Sequence, residues 1–349
     1  MVLSMALAGG CSDDPSAAGE TDTDVGSSSG DDSDASSSST TGDDSGGTTS
    51  STTAQTTDDS TTAQTTDDSA GSTGDETTGV DPTGDPVLPP TSPGCGSPMP
   101  AGYLADYQLN WGAWATSATV SVAGYQREYI VTLPENYDPS VAYPLHIVFH
   151  AWTGNMDNAY GQHVEHRWDE PVIAVAPQGQ PVQGSGYGWE WWELDSIDYA
   201  FADALVQDVG ANLCVDNQRI FTSGTSNGAY MAEMLACLTG YVKGVGASAG
   251  GMPVPVSDCI NPVTAFIMHG SADTTVPISE GQTARDTFLQ LNGCSDSTVR
   301  TPDNRCDHYN ECSSGQDVYW CQHSGGHPGA DPNALGLSEA MMDVFQAIP

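Results

Sequence analysis

Near residue 94 the chain changes from one kind of polymer into another. From Ser12 to Gly94 it holds 18 acidic residues, no basic residue and no aromatic one, and nearly everything else is Ser, Thr, Gly, Ala or Pro. A segment with so little apolar surface cannot offset the entropy of ordering, and its charges repel one another, so a disordered tether is predicted. Thr52–Ser60 recurs directly as Thr61–Ser69. Neither copy has an apolar face to stack, which argues for a length-tolerant spacer and against a solenoid. All eight Trp, every other aromatic and all seven bases lie beyond Cys95, the first base being Arg127. Those 255 residues are enough for one well-buried core.

The formal net charge is −39, and the part from Cys95 onward still carries 28 acids against 7 bases. Nucleic acid and anionic membrane surfaces are disfavoured as partners, because both are bound by cationic side chains. No apolar run approaches the roughly 18 residues of a membrane span. At the N-terminus, Leu7-Ala8-Gly9-Gly10-Cys11 resembles a bacterial lipoprotein signal, in which small residues precede a Cys that takes lipid after cleavage. The basic n-region is missing and the apolar stretch is short, as a start codon placed too late would explain. The expected organisation is a signal over 1–11 ending at Cys11, an acidic linker over 12–94 that Ser/Thr richness opens to O-glycosylation, and one domain over 95–349. The expected location is extracellular or on the surface of a bacterium, with a lipid on Cys11 as the only membrane contact.

Nine cysteines agree with export. With Cys11 set aside, Cys95, Cys214, Cys237, Cys259, Cys294, Cys306, Cys312 and Cys321 remain, an even set that predicts four disulfides. Local closure favours Cys237–Cys259 and Cys306–Cys312. A metal cluster of Cys306, His308, Cys312, Cys321 and His323 is the rival, but no CxxC occurs and an oxidising compartment favours disulfides. His163 and His166 lack the HExxH order of a zinc hydrolase and read as surface histidines.

Strand-like and helical patterns alternate through the domain. Arg127–Pro134 alternates and then breaks at a proline. Leu145–His150 and Pro171–Pro177 are short, mostly apolar runs, as in strands buried on both faces of a parallel sheet. Phe201, Leu205 and Val209 recur at helical spacing, Arg219–Ser223 returns to strand, and Ala229–Leu238 is helical again. The economical fold class is α/β, a mostly parallel sheet covered by helices on both faces.

Gly224-Thr225-Ser226-Asn227-Gly228 sits where a strand meets a helix. A nucleophile elbow needs that context: a strained turn lifts the serine hydroxyl, and flanking glycines relieve clashes. The alternative is an ordinary Gly-Ser turn. A serine nucleophile needs a base, and the base an orienting acid, in the order Ser, Asp, His. Asp273 follows the strand-like Val263–His269, at the end where such sheets place their sites. His327, in Ser324-Gly325-Gly326-His327-Pro328, is the preferred base, with His323 as runner-up. The oxyanion donors are expected to be the backbone N–H groups of Trp152 and Asn227.

On these residues the region from about Gly124 onward resembles the exported esterase family that includes feruloyl esterases and polyhydroxybutyrate depolymerases. The matching stretches are Arg127-Glu128-Tyr129, Leu133-Pro134, Tyr137-Asp138-Pro139, His150 and its loop, Pro177-Gln178-Gly179, Cys214-Val215-Asp216, Arg219-Ile220-Phe221, Gly224–Gly228, His269–Asp273, Val276-Pro277, Trp320-Cys321 and Gly325-Gly326-His327. The resemblance implies an α/β-hydrolase carboxylesterase with Ser226, Asp273 and His327 as its triad, working without metal or cofactor. Where the family usually has His-Gly, this chain has His150-Ala151, so a positive φ at Ala151 would strain the oxyanion loop. Trp189, Trp191 and Trp192 either line an aromatic acyl pocket with Trp152 or simply pack over the sheet. The expected substrates are feruloyl esters on plant cell-wall polysaccharide, ahead of polyhydroxyalkanoate, with the enzyme a monomer. A non-catalytic surface-binding module is the reading from another class.

Overall fold

The computed structural model describes residues 88–108, 114–163, 168–327 and 337–349. Cys11, the tether up to residue 87 and His166 lie outside the described residues, as does the side chain of His163. In chain order the elements are β1 (Ala105–Gln108), β2 (Trp114–Val122), β3 (Tyr125–Thr132), β4 (Tyr143–Phe149), α1 (Met156–His163), β5 (Ile173–Pro177), β6 (Gln180–Pro181), β7 (Tyr187–Gly188) and α2 (Ile197–Asn212). Then come β8 (Val215–Thr225), α3 (Asn227–Leu238), β9 (Gly244–Ser248), β10 (Thr264–Gly270), α4 (Ile278–Asn292), β11 (Val299–Arg300), β12 (Asp307–Tyr309), β13 (Val318–His323) and α5 (Leu337–Gln346).

Among the described residues, eleven strands form one sheet in the order β1-β2-β3-β5-β4-β8-β9-β10-β13-β12-β11. The six from β5 to β13 run parallel, and antiparallel strands extend both edges. Every residue of β4, β5 and β10 is buried, which is why their sequences read as continuous apolar runs. The period of two assigns their side chains to opposite faces. Ile220, Ala265 and Ile267 join the cluster under α2 and α3, where Phe201, Leu205 and Val209 also lie. Phe221, Phe266 and Met268 point to the other face, against Met341, Met342 and Phe345 of α5. The sheet is thus covered on both sides, as expected.

Four disulfides hold this frame. Cys237–Cys259 forms as local closure suggests. Cys306, however, pairs with Cys321, and Cys312 with Cys294. The sheet register is the reason: Asp307 lies opposite Trp320 in the antiparallel β12–β13 pair, so the next position out sets Cys306 against Cys321. With these sulfurs in disulfides, the rival Cys/His cluster has no thiolates to offer a metal.

Among the described residues, those before Cys95 already pack against the domain. Ser92 is buried, its Oγ donating to Leu213 O at 2.7 Å and accepting from Val215 N at 2.9 Å. Asn217 N donates to Pro90 O at 2.9 Å, and Cys95–Cys214 then locks the segment to the start of β8.

Candidate active site

The end of β8 and the start of α3 make one sharp corner. Ser226, the residue between them, has φ 56° and ψ −120°, a conformation an L-residue adopts only when its surroundings impose it. Its N–H donates to Ser248 O at 2.8 Å, which ties the corner to β9. Both glycines of the motif are needed for space. A Cβ on Gly224 would sit 2.3 Å from Gly228 O, and one on Gly228 would sit 2.3 Å from Phe149 O and 2.5 Å from His150 O. Ser226 is half-buried amid buried neighbours, so the corner presents it at the C-terminal edge of the sheet.

Two strands further along, the loop after β10 carries Asp273, and the loop after β13 carries His327. His327 Nδ1 donates to Asp273 Oδ2 at 2.6 Å. Asp273 Oδ1 accepts from Thr275 N at 2.8 Å and Val276 N at 2.9 Å. Burial alone would raise the Asp273 pKa, but the bonds from His327, Val276 and Thr275 outweigh it and hold the carboxyl below its ordinary value. His269 braces the same loop, donating from Nε2 to Val276 O at 2.9 Å, and burial lowers its pKa. The runner-up His323 has its Nδ1 accepting from Gly325 N at 3.1 Å. Another Ser–His pair, Ser223 and His146, meets at 2.8 Å but is fully buried beside Trp168 and Phe345, out of reach of any substrate.

On the other side of Ser226 lies the loop after β4. His150 is fully buried, and burial pushes its pKa down to about 4, so it is neutral at working pH. Its Nδ1 donates to Ala151 O at 2.9 Å and its Nε2 accepts from Gly179 N at 3.0 Å. The strained residue of this loop is Thr153, at φ 62°, and Ala151 is not in the left-handed region. The expected strain at Ala151 is therefore corrected: the chain turns two residues later. Asn227 begins α3, so its N–H is among those a helix leaves without an intrahelical partner.

The four tryptophans separate into two kinds. Trp191 is half-buried and stacks on Tyr230 with centroids 4.1 Å apart and planes 8° apart. Trp192, 50% exposed, meets Trp191 edge-on, and Trp152 is 47% exposed. These three remain available to a ligand. Trp189 does not: it is fully buried against Phe149 and His150.

Sequence reasoning missed what holds the 178–191 segment. Arg127 Nη2 donates to Asp198 Oδ1 at 2.8 Å and to Gln178 O at 2.9 Å, with both side chains buried. Asp198 Oδ2 accepts from Glu190 N at 2.8 Å. The signal was present, since a chain with seven bases places one in the middle of a strand.

A parallel sheet covered on both faces, turning through a strained serine corner into a helix, defines the α/β-hydrolase class. Comparison with known proteins narrows the class. The chain is 30% identical over 288 residues to feruloyl esterase C of Emericella nidulans, spanning 75% of this chain and 93% of that one. It is 32% identical over 228 residues to a probable feruloyl esterase C of Aspergillus clavatus, spanning 61% and 80%. The chain belongs to this family of feruloyl esterases, carboxylic ester hydrolases. Among solved structures, the CE1 ferulic acid esterase of Anaeromyces mucronatus superposes with a TM-score of 0.48 at 14% identity, covering 75% of this chain and 99% of that one. No family model matches. These relatives are fungal and lend no support to a bacterial source.

Proposed function

We propose that the chain is an exported serine carboxylesterase that cleaves feruloyl esters of plant cell-wall polysaccharide through an acyl-enzyme. The observation that carries this reading is the 2.6 Å contact between His327 Nδ1 and Asp273 Oδ2 at the sheet edge that also bears the strained Ser226. With Nδ1 engaged, Nε2 is the nitrogen left to take the Ser226 proton. Ser226 Oγ attacks the ester carbonyl, and the N–H groups of Trp152 and Asn227 hold the oxyanion. His327 protonates the leaving alcohol, and water repeats the cycle on the acyl-enzyme. Trp191 and Trp192 offer flat apolar faces to an aromatic acyl group. Four disulfides support export. The strong negative charge disfavours anionic substrates and leaves neutral polymers unaffected.

The test compares methyl ferulate, p-nitrophenyl acetate and a polyhydroxybutyrate film as substrates for the wild type and Ser226→Ala. Turnover of methyl ferulate well above the acetate, abolished in Ser226→Ala, is expected. Film clearing with little ferulate turnover would favour a depolymerase. Silence on all three would favour a surface-binding role.

A further inference from the structure

We propose that Trp189 is a positioning residue that sets the two oxyanion donors against each other. The proposal rests on the site reading above, with Trp152 and Asn227 as the backbone donors.

Those donors come from separate elements, the loop after β4 and the first turn of α3. Trp189 touches both. Its indole Nε1–H donates to His150 O at 2.9 Å. Its main chain forms a two-way bridge with the Asn227 side chain: Trp189 N donates to Asn227 Oδ1 at 2.7 Å, and Asn227 Nδ2 donates to Trp189 O at 3.0 Å. The ring stands edge-on to Phe149 at 5.0 Å and leans on His150 at 4.8 Å. His150 O, which accepts the indole N–H, packs so close to Gly228 that a Cβ there would lie 2.5 Å from it. From His150 the chain reaches Trp152 in two residues, through Ala151, whose carbonyl accepts from His150 Nδ1 and from Gly154 N, each at 2.9 Å. Trp189 itself is anchored through its neighbour, since Glu190 N is bound by the buried Asp198.

Phe149, His150, Trp189, Asp198, Asn227 and Gly228 in this chain of contacts are buried, Ala151 and Gly154 are half-buried, and the side chains of Trp152 and Glu190 are exposed. In such surroundings an oxyanion hole gains most from donors that need no rearrangement when charge develops. An error of about 1 Å between two donors is enough to cost catalysis heavily. Trp189 is the residue that fixes the separation of these two.

The test is Trp189→Phe in the full chain, which keeps an aromatic ring and removes the indole N–H. The expected result is a kcat lower by roughly 10- to 100-fold on methyl ferulate and p-nitrophenyl acetate alike, with KM changed less than about threefold. A trifluoromethyl ketone, which mimics the oxyanion, should lose affinity in step with kcat/KM. Titration of Ser226 with a fluorophosphonate counts active molecules, so kcat is read per labelled site and misfolding is separated from misplacement. Asn227→Asp, which keeps the acceptor and deletes the donor, should show the same kcat effect, and the double variant should lose less than the product of the two. If Trp189→Phe does not fold, Asn227→Asp alone decides by the same readouts. Wild-type kcat per labelled site in either variant overturns the proposal. So does a KM rise confined to ferulate, which would return Trp189 to an acyl-pocket role. Turnover retained by Ser226→Ala would instead sink the site reading, and that outcome is independent of Trp189.

Discussion

The two flanks of β8 hold their parts of the site by different means. On the β4–β5 side, the loop after β4, which carries the proposed oxyanion donor, and the 178–191 segment are joined by buried hydrogen bonds and one buried ion pair, Arg127–Asp198. On the β10–β13 side, Asp273 and His327 hang on loops of a region stapled by Cys237–Cys259, Cys294–Cys312 and Cys306–Cys321. The difference fits what the proposed mechanism asks of each flank. Backbone donors have no side-chain rotamer to adjust, so directional contacts must set them. An acid–base pair needs only one short contact between side chains, and β11 and β12, two and three residues long, contribute little core. Covalent links can substitute for packing there.

That contrast can be broken at either side. The largest expected effect is in Asp273→Asn. The amide keeps the Oδ1 cap on Thr275 and Val276 but turns a donor toward His327 Nδ1, selecting the wrong tautomer. We expect kcat to fall by roughly 10³- to 10⁴-fold with the melting temperature nearly unchanged. A loss under tenfold would mean Asp273 does not orient the base.

Asp198→Asn should act on stability. It leaves the Arg127 charge buried without its partner, a change of about 3–5 kcal/mol in urea unfolding. Equal stability would show that the ion pair is not what ties the β4–β5 flank together.

The double variant Cys306→Ser/Cys321→Ser opens a link of sequence separation 15 and should cost about 2–3 kcal/mol. Fluorophosphonate labelling and turnover in the folded protein would then show whether the staple serves the base or only the fold.

The smallest effect is expected at the border between the flanks. Glu233 on α3 is fully buried, and burial pushes its pKa up to about 8, against the weaker opposing pull of Gly251 N–H. The unfolded chain ionises this group near 4.5, so the destabilisation is absent below that pH, grows up to about 8 and then levels off. Glu233→Gln should therefore raise the melting temperature by several degrees at pH 8 and by little at pH 4.5. A gain independent of pH would show that the carboxyl is not the source.

Much of the frame was readable in advance because its signals are local. The runs that became β4, β5 and β10 are mostly apolar, and Phe201, Leu205 and Val209 mark a single helical face. The elbow was readable for the same reason, since Gly224, Ser226 and Gly228 lie within five residues. Asp273 and His327 were paired as candidates from chain order and from their places after strands, and the two side chains do meet. The roles of the tryptophans were not readable. Trp189, Trp191 and Trp192 are nearly adjacent, yet one is core and another is half exposed, and this depends on where the segment crosses β4 and α3. Cys306 was assigned to its near neighbour Cys312 because sequence distance carries no information about β12–β13 register.

The sequence alone therefore determined most of the strands and helices and supplied the candidates for nucleophile, acid and base, because periodicity, glycine placement and chain order are properties of short stretches. Only the tertiary structure decided how Asn227, Trp189 and His150 meet, which cysteines pair, and that Thr153 and not Ala151 takes the strained turn. Those contacts join segments far apart in the chain, and burial and direction are fixed only when the sheet brings them together.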